Sequence, residues 1–208
     1  WDAIMALWWV FGTSDNDAYY ACKTALLQQS KLDYLNHIWE KKGFDEIKAR
    51  IGIHTGPAII GNIGSEGRKM EFTALWDSVN LASRLEGVNK FYGTYICVSE
   101  DVYEKVKDEF EFRYLDEIRV KWKNTSVVIY ELLALKDQLL ENKRKIVEEY
   151  LEAIKLYKQR EFESAKAAFT KLAEKNDAPS KTYKKRCETY IQNPPELDWD
   201  GVISMESK

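Results

Sequence analysis

The residues whose types and spacing could do chemistry lie between Arg50 and Glu86. Asn80 and Arg84 are i and i+4, so on a helix they stack on one face. An amide with a guanidinium one turn away can orient a sugar and neutralise charge on a phosphate. Five glycines, Gly52, Gly56, Gly61, Gly64 and Gly67, fall in short strand-like runs and predict turns or close backbone approach. No Lys-Ser or Lys-Thr follows them, which excludes a Walker phosphate loop. On its own an Asn/Arg pair is more often a surface hydrogen bond, so the elements around it matter.

Ser78 to Phe91 carries Val79, Leu81, Ala82, Leu85 and Val88 at helical spacing and closes on Gly93. Upstream, Ile4 to Phe11 reads as a buried strand and Ala18 to Lys41 as a long helix, with Ala21, Ala25, Leu32, Leu35 and Ile38 on its apolar side. Ala49 to His54 and Ala58 to Ile63 are apolar runs joined by Thr55-Gly56-Pro57, a hairpin signal. Tyr95 to Val98 is a short strand, and Ser99-Glu-Asp opens another helix. Phe110 to Lys121 and Val127 to Leu133 are strands around the turn at 123–125. The mixture predicts an α+β or α/β sheet domain over residues 1–135. No Gly occurs between Gly93 and Gly201. Residues 136–192 read as two helices joined near Gln159 to Glu161, a pair like one tetratricopeptide repeat that must pack on something else. Residues 193–208 read as an extended tail.

Composition narrows the class. With 208 residues and 45% apolar content the chain is too apolar for wholesale disorder, and a net charge of −3 excludes a strongly basic nucleic-acid footprint. Cys22, Cys97 and Cys187 are far apart and odd in number, which argues against a disulfide framework or a zinc site and for a reducing, cytoplasmic setting. The apolar run Ala3 to Phe11 is about half of the ~20 residues needed to span a bilayer. It also has no basic flank to make it a signal peptide. The chain opens on Trp1-Asp2 like a cut through a domain. His37 and His54 lack partners at ligand spacing and read as structural; Lys41-Lys42, Lys143-Arg144-Lys145 and Lys184-Lys185-Arg186 read as solvated helix faces. Seven Trp against ten Gly is an unusual balance.

Four blocks, in order, resemble the catalytic domain of class III nucleotide cyclases: Asp2-Ala-Ile-Met-Ala6; Ile51-Gly-Ile-His-Thr-Gly56 with Ile60-Gly-Asn-Ile-Gly64; Asp77-Ser-Val-Asn80-Leu-Ala-Ser-Arg84-Leu-Glu86; and Val120-Lys121-x-Lys123. The tail, with Pro194-Pro195 and Trp199-Asp-Gly201, resembles the C-terminal extension of bacterial sensor-linked adenylate cyclases. The resemblance implies a ferredoxin-like α+β sheet domain followed by a helical hairpin. It also implies a head-to-tail homodimer with sites at the interface, and conversion of ATP to 3′,5′-cyclic AMP and pyrophosphate with two Mg²⁺ or Mn²⁺ ions per site.

By the same resemblance, Asp2 is a metal ligand, with a first metal Asp and a base-reading Lys expected before Trp1. Asn80 positions the ribose, and Arg84 stabilises charge on the pentavalent phosphate. Thr73 reads the purine and favours adenine, Asp77 belongs to the substrate-binding set, and Lys121 lies near the triphosphate. An upstream sensor domain and a cytoplasmic, membrane-linked location are further implications. Trp1, Trp9, Trp76 and Trp122 stand where the family usually has Gly. They keep open a second reading, a cyclase-homology module that dimerises or binds nucleotide without turnover. A third, with the repeat-like hairpin as the working surface, is an interaction protein.

Overall fold

The computed structural model describes residues 3–8, 16–63, 71–75, 77–119 and 126–204. Within them the chain runs α1 (Asp17–Glu40), β1 (Ile51–Ile53), β2 (Ile59–Ile63), β3 (Glu71–Leu75), α2 (Asp77–Tyr92), β4 (Ile96–Ser99), α3 (Glu100–Val106), β5 (Phe110–Arg119) and β6 (Ser126–Leu135). There follow α4 (Glu141–Lys158), α5 (Phe162–Glu174), α6 (Ala178–Gln192) and the two-residue β7 (Ile203–Ser204). The main sheet has the order β1-β4-β6-β5-β7, and β2 with β3 makes a separate ribbon. The β1/β4 and β5/β7 pairs are parallel; β4/β6 and β6/β5 are antiparallel. This is the expected α+β mixture.

Helices cover both faces of the sheet, and the two-residue period of a strand divides its side chains between them. In β4, Ile96 and Val98 join Ala18, Ala21, Cys22 and Ala25 of α1 and Val102 and Val106 of α3. Cys97, one residue out of step, joins Leu81, Leu85, Val88 and Tyr92 of α2 on the other face. That second core continues without a break into Tyr150, Tyr157, Phe169, Tyr183 and Cys187 of α4–α6. The C-terminal helices therefore pack on the sheet, as their sequence demanded. They number three, not two: α6 follows Asp177, whose carboxylate accepts from the Ser180 amide and caps the helix.

A bulge in β5 helps to seat this unit. Tyr114 pairs with Tyr130 and Asp116 with Ile129, so Leu115 is the extra residue. Its carbonyl accepts from the Tyr150 hydroxyl (3.3 Å) and the Tyr183 hydroxyl (2.7 Å). The tail is docked as well. Arg160 donates to the carbonyls of Pro195, Glu196 and Leu197, and Trp199 packs edge-on against Tyr157, Phe162 and Tyr190. Beyond it Ile203 pairs with Ile118.

Four expectations are corrected. Residues 3–7 form no strand; Ile4 is 97% exposed, and among the described residues no strand lies beside it to supply a ladder. The runs before and after Gly56 do not pair with each other, because β1 is taken by β4 and β2 by β3. Only the first half of α1 is buried, so Leu35 is exposed and Leu32 and Ile38 are half-buried. Arg186, read as part of a solvated face, is paired with Asp116 and has only 10% of its side chain exposed.

Candidate active site

The site is built around α2, and glycine decides how close α2 comes to the sheet. A Cβ on Gly52 would lie 2.1 Å from the Ala82 carbonyl oxygen, 2.3 Å from the Glu86 nitrogen and 2.8 Å from the Leu85 carbonyl carbon. All three are backbone atoms of one helical turn, so β1 and α2 touch main chain to main chain. Asn89 fixes the same contact: its Nδ2 donates to the carbonyls of Ile51 (2.9 Å), Leu85 (3.0 Å) and Glu86 (3.2 Å), and its Oδ1 accepts from Thr94 (2.8 Å). Arg50 and Glu86 close the outer side at 2.8 Å. Gly52→Ala is expected to destabilise the protein by about 1–3 kcal/mol by forcing this turn off the strand. The check is the urea midpoint of the variant beside wild type.

Leu81, Leu85, Val88 and Tyr92 are buried, and Asp77, Asn80 and Arg84 lie along one flank of that stripe. Asp77 and Asn80 are exposed and Arg84 is half-buried. The helix thus brings together three expected site residues at spacings of three and four. Thr73 lies on β3 opposite Gly61, in the strand that leads into α2, and is half-buried. Asp2 and Lys121 lie outside the described residues, as do Trp1, Trp9, Trp76 and Trp122.

Among the described residues no three His, Cys, Asp or Glu side chains gather as a cation site. His54 sits 2.8 Å from Ser99 Oγ across the ends of β1 and β4. Burial pushes the Cys97 thiol well above its usual range, with the Glu131 charge adding to it, and pushes Cys22 up to about 12. Sequence reasoning missed Asn89, although an Asn amid the buried positions of a helix is itself the signal of a buried polar anchor.

A sheet backed by an Asn/Arg helix in backbone contact with the Gly52 strand, with the β2/β3 ribbon leading into that helix, agrees with the nucleotide cyclase resemblance of the sequence. Residues 3–134 match the family model described as "Adenylate and Guanylate cyclase catalytic domain". The chain belongs to that family.

Among curated relatives, adenylate cyclase 1 of Rhizobium meliloti is 37% identical over 134 residues, 64% of this chain and 20% of that protein. The terminal-differentiation specific adenylate cyclase of Dictyostelium discoideum is 38% identical over 212 residues, 97% of this chain and 9% of that protein. The chain thus spans a fifth or less of the length of either. The crystal structure of the adenylyl cyclase CyaB from P. aeruginosa superposes with a TM-score of 0.53 at 28% identity, covering 62% of this chain and 64% of that one. Among the described residues no helix is long and apolar enough to cross a membrane.

Proposed function

We propose that this chain is the catalytic part of an adenylate cyclase that converts ATP to 3′,5′-cyclic AMP and pyrophosphate at a homodimer interface. The ribose 3′-oxygen attacks the α-phosphorus in line, the bond to the β-phosphate oxygen breaks, pyrophosphate leaves and the hydroxyl proton is lost. Asn80 holds the ribose so that its 3′-oxygen faces the phosphorus. Arg84, one turn on, meets the charge that builds on the pentavalent phosphate; such preorganised charge is often the largest catalytic contribution. Both serve the partner's nucleotide, Thr73 reads the adenine, Asp77 assists substrate binding, and Lys121 lies by the triphosphate. Asp2 is the residue this chain offers to Mg²⁺ or Mn²⁺, which when bound would stabilise the attacking and leaving oxygens. A sensor domain upstream, and through it a membrane-linked cytoplasmic location, complete the reading.

The observation that carries it is the placement of Asn80 and Arg84 one turn apart on one flank of a helix held against β1 by backbone contact at Gly52. Full-length protein given Mn²⁺ and ATP should form cyclic AMP. A folded protein that forms none overturns the reading, and one that binds a fluorescent ATP analogue without turnover is the nucleotide-binding module instead. Equal yields from GTP would remove the role given to Thr73.

A further inference from the structure

We infer that Arg186 of α6 is a positioning residue for α2: the C-terminal helical unit holds the far end of the helix that carries Asn80 and Arg84. The catalytic consequence rests on the cyclase reading above; the mechanical one does not.

Three contacts join α6 to the last turn of α2. Arg186 Nη1 lies 2.5 Å from Asp116 Oδ2, and Nη2 donates to the Tyr92 hydroxyl at 2.7 Å. That hydroxyl donates in turn to the same Asp116 oxygen, which closes a triangle between β5, α2 and α6. Tyr92, the last residue of α2, is fully buried. The guanidinium also lies over the rings of Tyr183 (4.8 Å), Phe91 (5.2 Å) and Tyr92 (5.4 Å), so its planar face is used as well as its donors. Thr182 Oγ1 donates to the Phe91 carbonyl at 3.0 Å, satisfying one of the carbonyls a helix end leaves open. Gly93 follows at φ +68°, and a Cβ there would come within 2.6 Å of the Ala178 Cβ. The start of α6 therefore abuts the end of α2 with no room for a side chain between them.

An α-helix is stiff, so what happens at one end is felt along it. The backbone contact of Ala82–Glu86 with Gly52 acts as a pivot. From Arg84 near that pivot, Tyr92 is about 12 Å along the axis and Asn80 about 6 Å the other way, at 1.5 Å per residue. A tilt that moves Tyr92 by 2 Å thus moves Asn80 by about 1 Å, and a 1 Å misplacement can cost about 10²-fold in rate. Arg186 touches no reacting atom in this arrangement. It acts only through α2.

Simple truncation of Arg186 would strand the Asp116 charge in the core, so two gentler changes are used. Arg186→Lys keeps the charge but loses the fork; the pair Arg186→Met with Asp116→Asn removes both charges. In full-length protein with Mn²⁺ and ATP, both should lower kcat about tenfold while KM stays within about twofold. Combined with Asn80→Ala, the loss should largely vanish, because both changes act on one interaction. Amide hydrogen exchange should quicken along α2 and not in β4 or β6.

Unchanged exchange in α2, equal quickening throughout the chain, or a loss of kcat that multiplies fully with that of Asn80→Ala would each overturn the inference. If wild type forms no cyclic AMP, the cyclase reading alone fails. The exchange pattern then still decides whether Arg186 holds α2.

Discussion

Asn80→Ala should, on the cyclase function proposed above, lower kcat for cyclic AMP formation about 10²–10³-fold and leave KM for ATP within about threefold, because that function has the amide act on the ribose as the 3′-oxygen attacks. Arg84→Ala should do the same through the charge on the phosphate. The two losses should fall short of their product, since the residues lie on one helix and act on one transition state. Steady-state cyclic AMP production by full-length protein, with circular dichroism as the folding control, provides the check. A tenfold rise in KM at constant kcat would mean that Asn80 only binds substrate. Asn80 is exposed and Arg84 half-buried, and neither belongs to the buried clusters, so neither change should open the core.

Arg113→Met should be the most damaging single change to stability, at about 3–5 kcal/mol, the usual result of removing one partner from a buried ion network. The Arg113 side chain is 1% exposed. Its Nε and Nη2 meet Glu131 Oε2 at 2.8 and 2.5 Å, and its Nη1 meets Asp177 Oδ1 at 2.6 Å. With Arg113 gone, Asp177 retains a buried charge answered only by Lys143 at 3.5 Å and the Ser180 groups. Adding Glu131→Gln and Asp177→Asn to Arg113→Met should recover much of the loss, because no charge is then left unpaired. Urea unfolding of the single and triple variants separates the two cases.

The same network sets an acid limit. Burial pushes the Asp177 carboxyl up, but the Arg113 charge and the hydrogen bonds from Ser180 and Arg113 outweigh it and leave the group below its ordinary value. A carboxyl depressed in the folded state stabilises fully above its unfolded value, near about 3.9, and that stability drains as pH falls through the folded value. Wild type should therefore lose stability below about pH 4, with a shallower fall in Asp177→Asn.

What was legible in the sequence was local. The helical spacing around Asn80, the Gly93 stop, and the strands β4, β5 and β6 are written in runs of neighbouring residues, and the structure has them. What was not legible is which run meets which. Thr55-Gly56-Pro57 looks like a hairpin turn, yet Ile51 pairs with Ile96, 45 positions on, because Gly52 lets α2 lie flat against β1 and covers that strand from one side. Ile4 to Leu7, the described start of the Ile4–Phe11 run, have the apolar content of a strand, but content does not supply a partner.

Nor could Arg186 be separated from Lys184 and Lys185 by composition. Its hydrogen-bond partners Asp116 and Tyr92, 70 and 94 positions away, distinguish it. The Asn80/Arg84 pair became readable through family resemblance, and its meaning in the fold came from Gly52.

The 94 positions that separate Tyr92 from Arg186 also have a consequence for how the protein is made. Tyr92 and the α2 face around it emerge from the ribosome long before the helices that cover them. At about 5–20 residues per second, that face waits roughly 5–20 s for α6. In that interval β4, β5 and β6 can already cover Leu81 and Leu85 through Cys97, Leu115 and Ile129, but Tyr92 still lacks Tyr183 and Arg186. Until α6 leaves the tunnel, Tyr92 and Asp116 lack the cation that closes their triangle, and the end of α2 is fastened last.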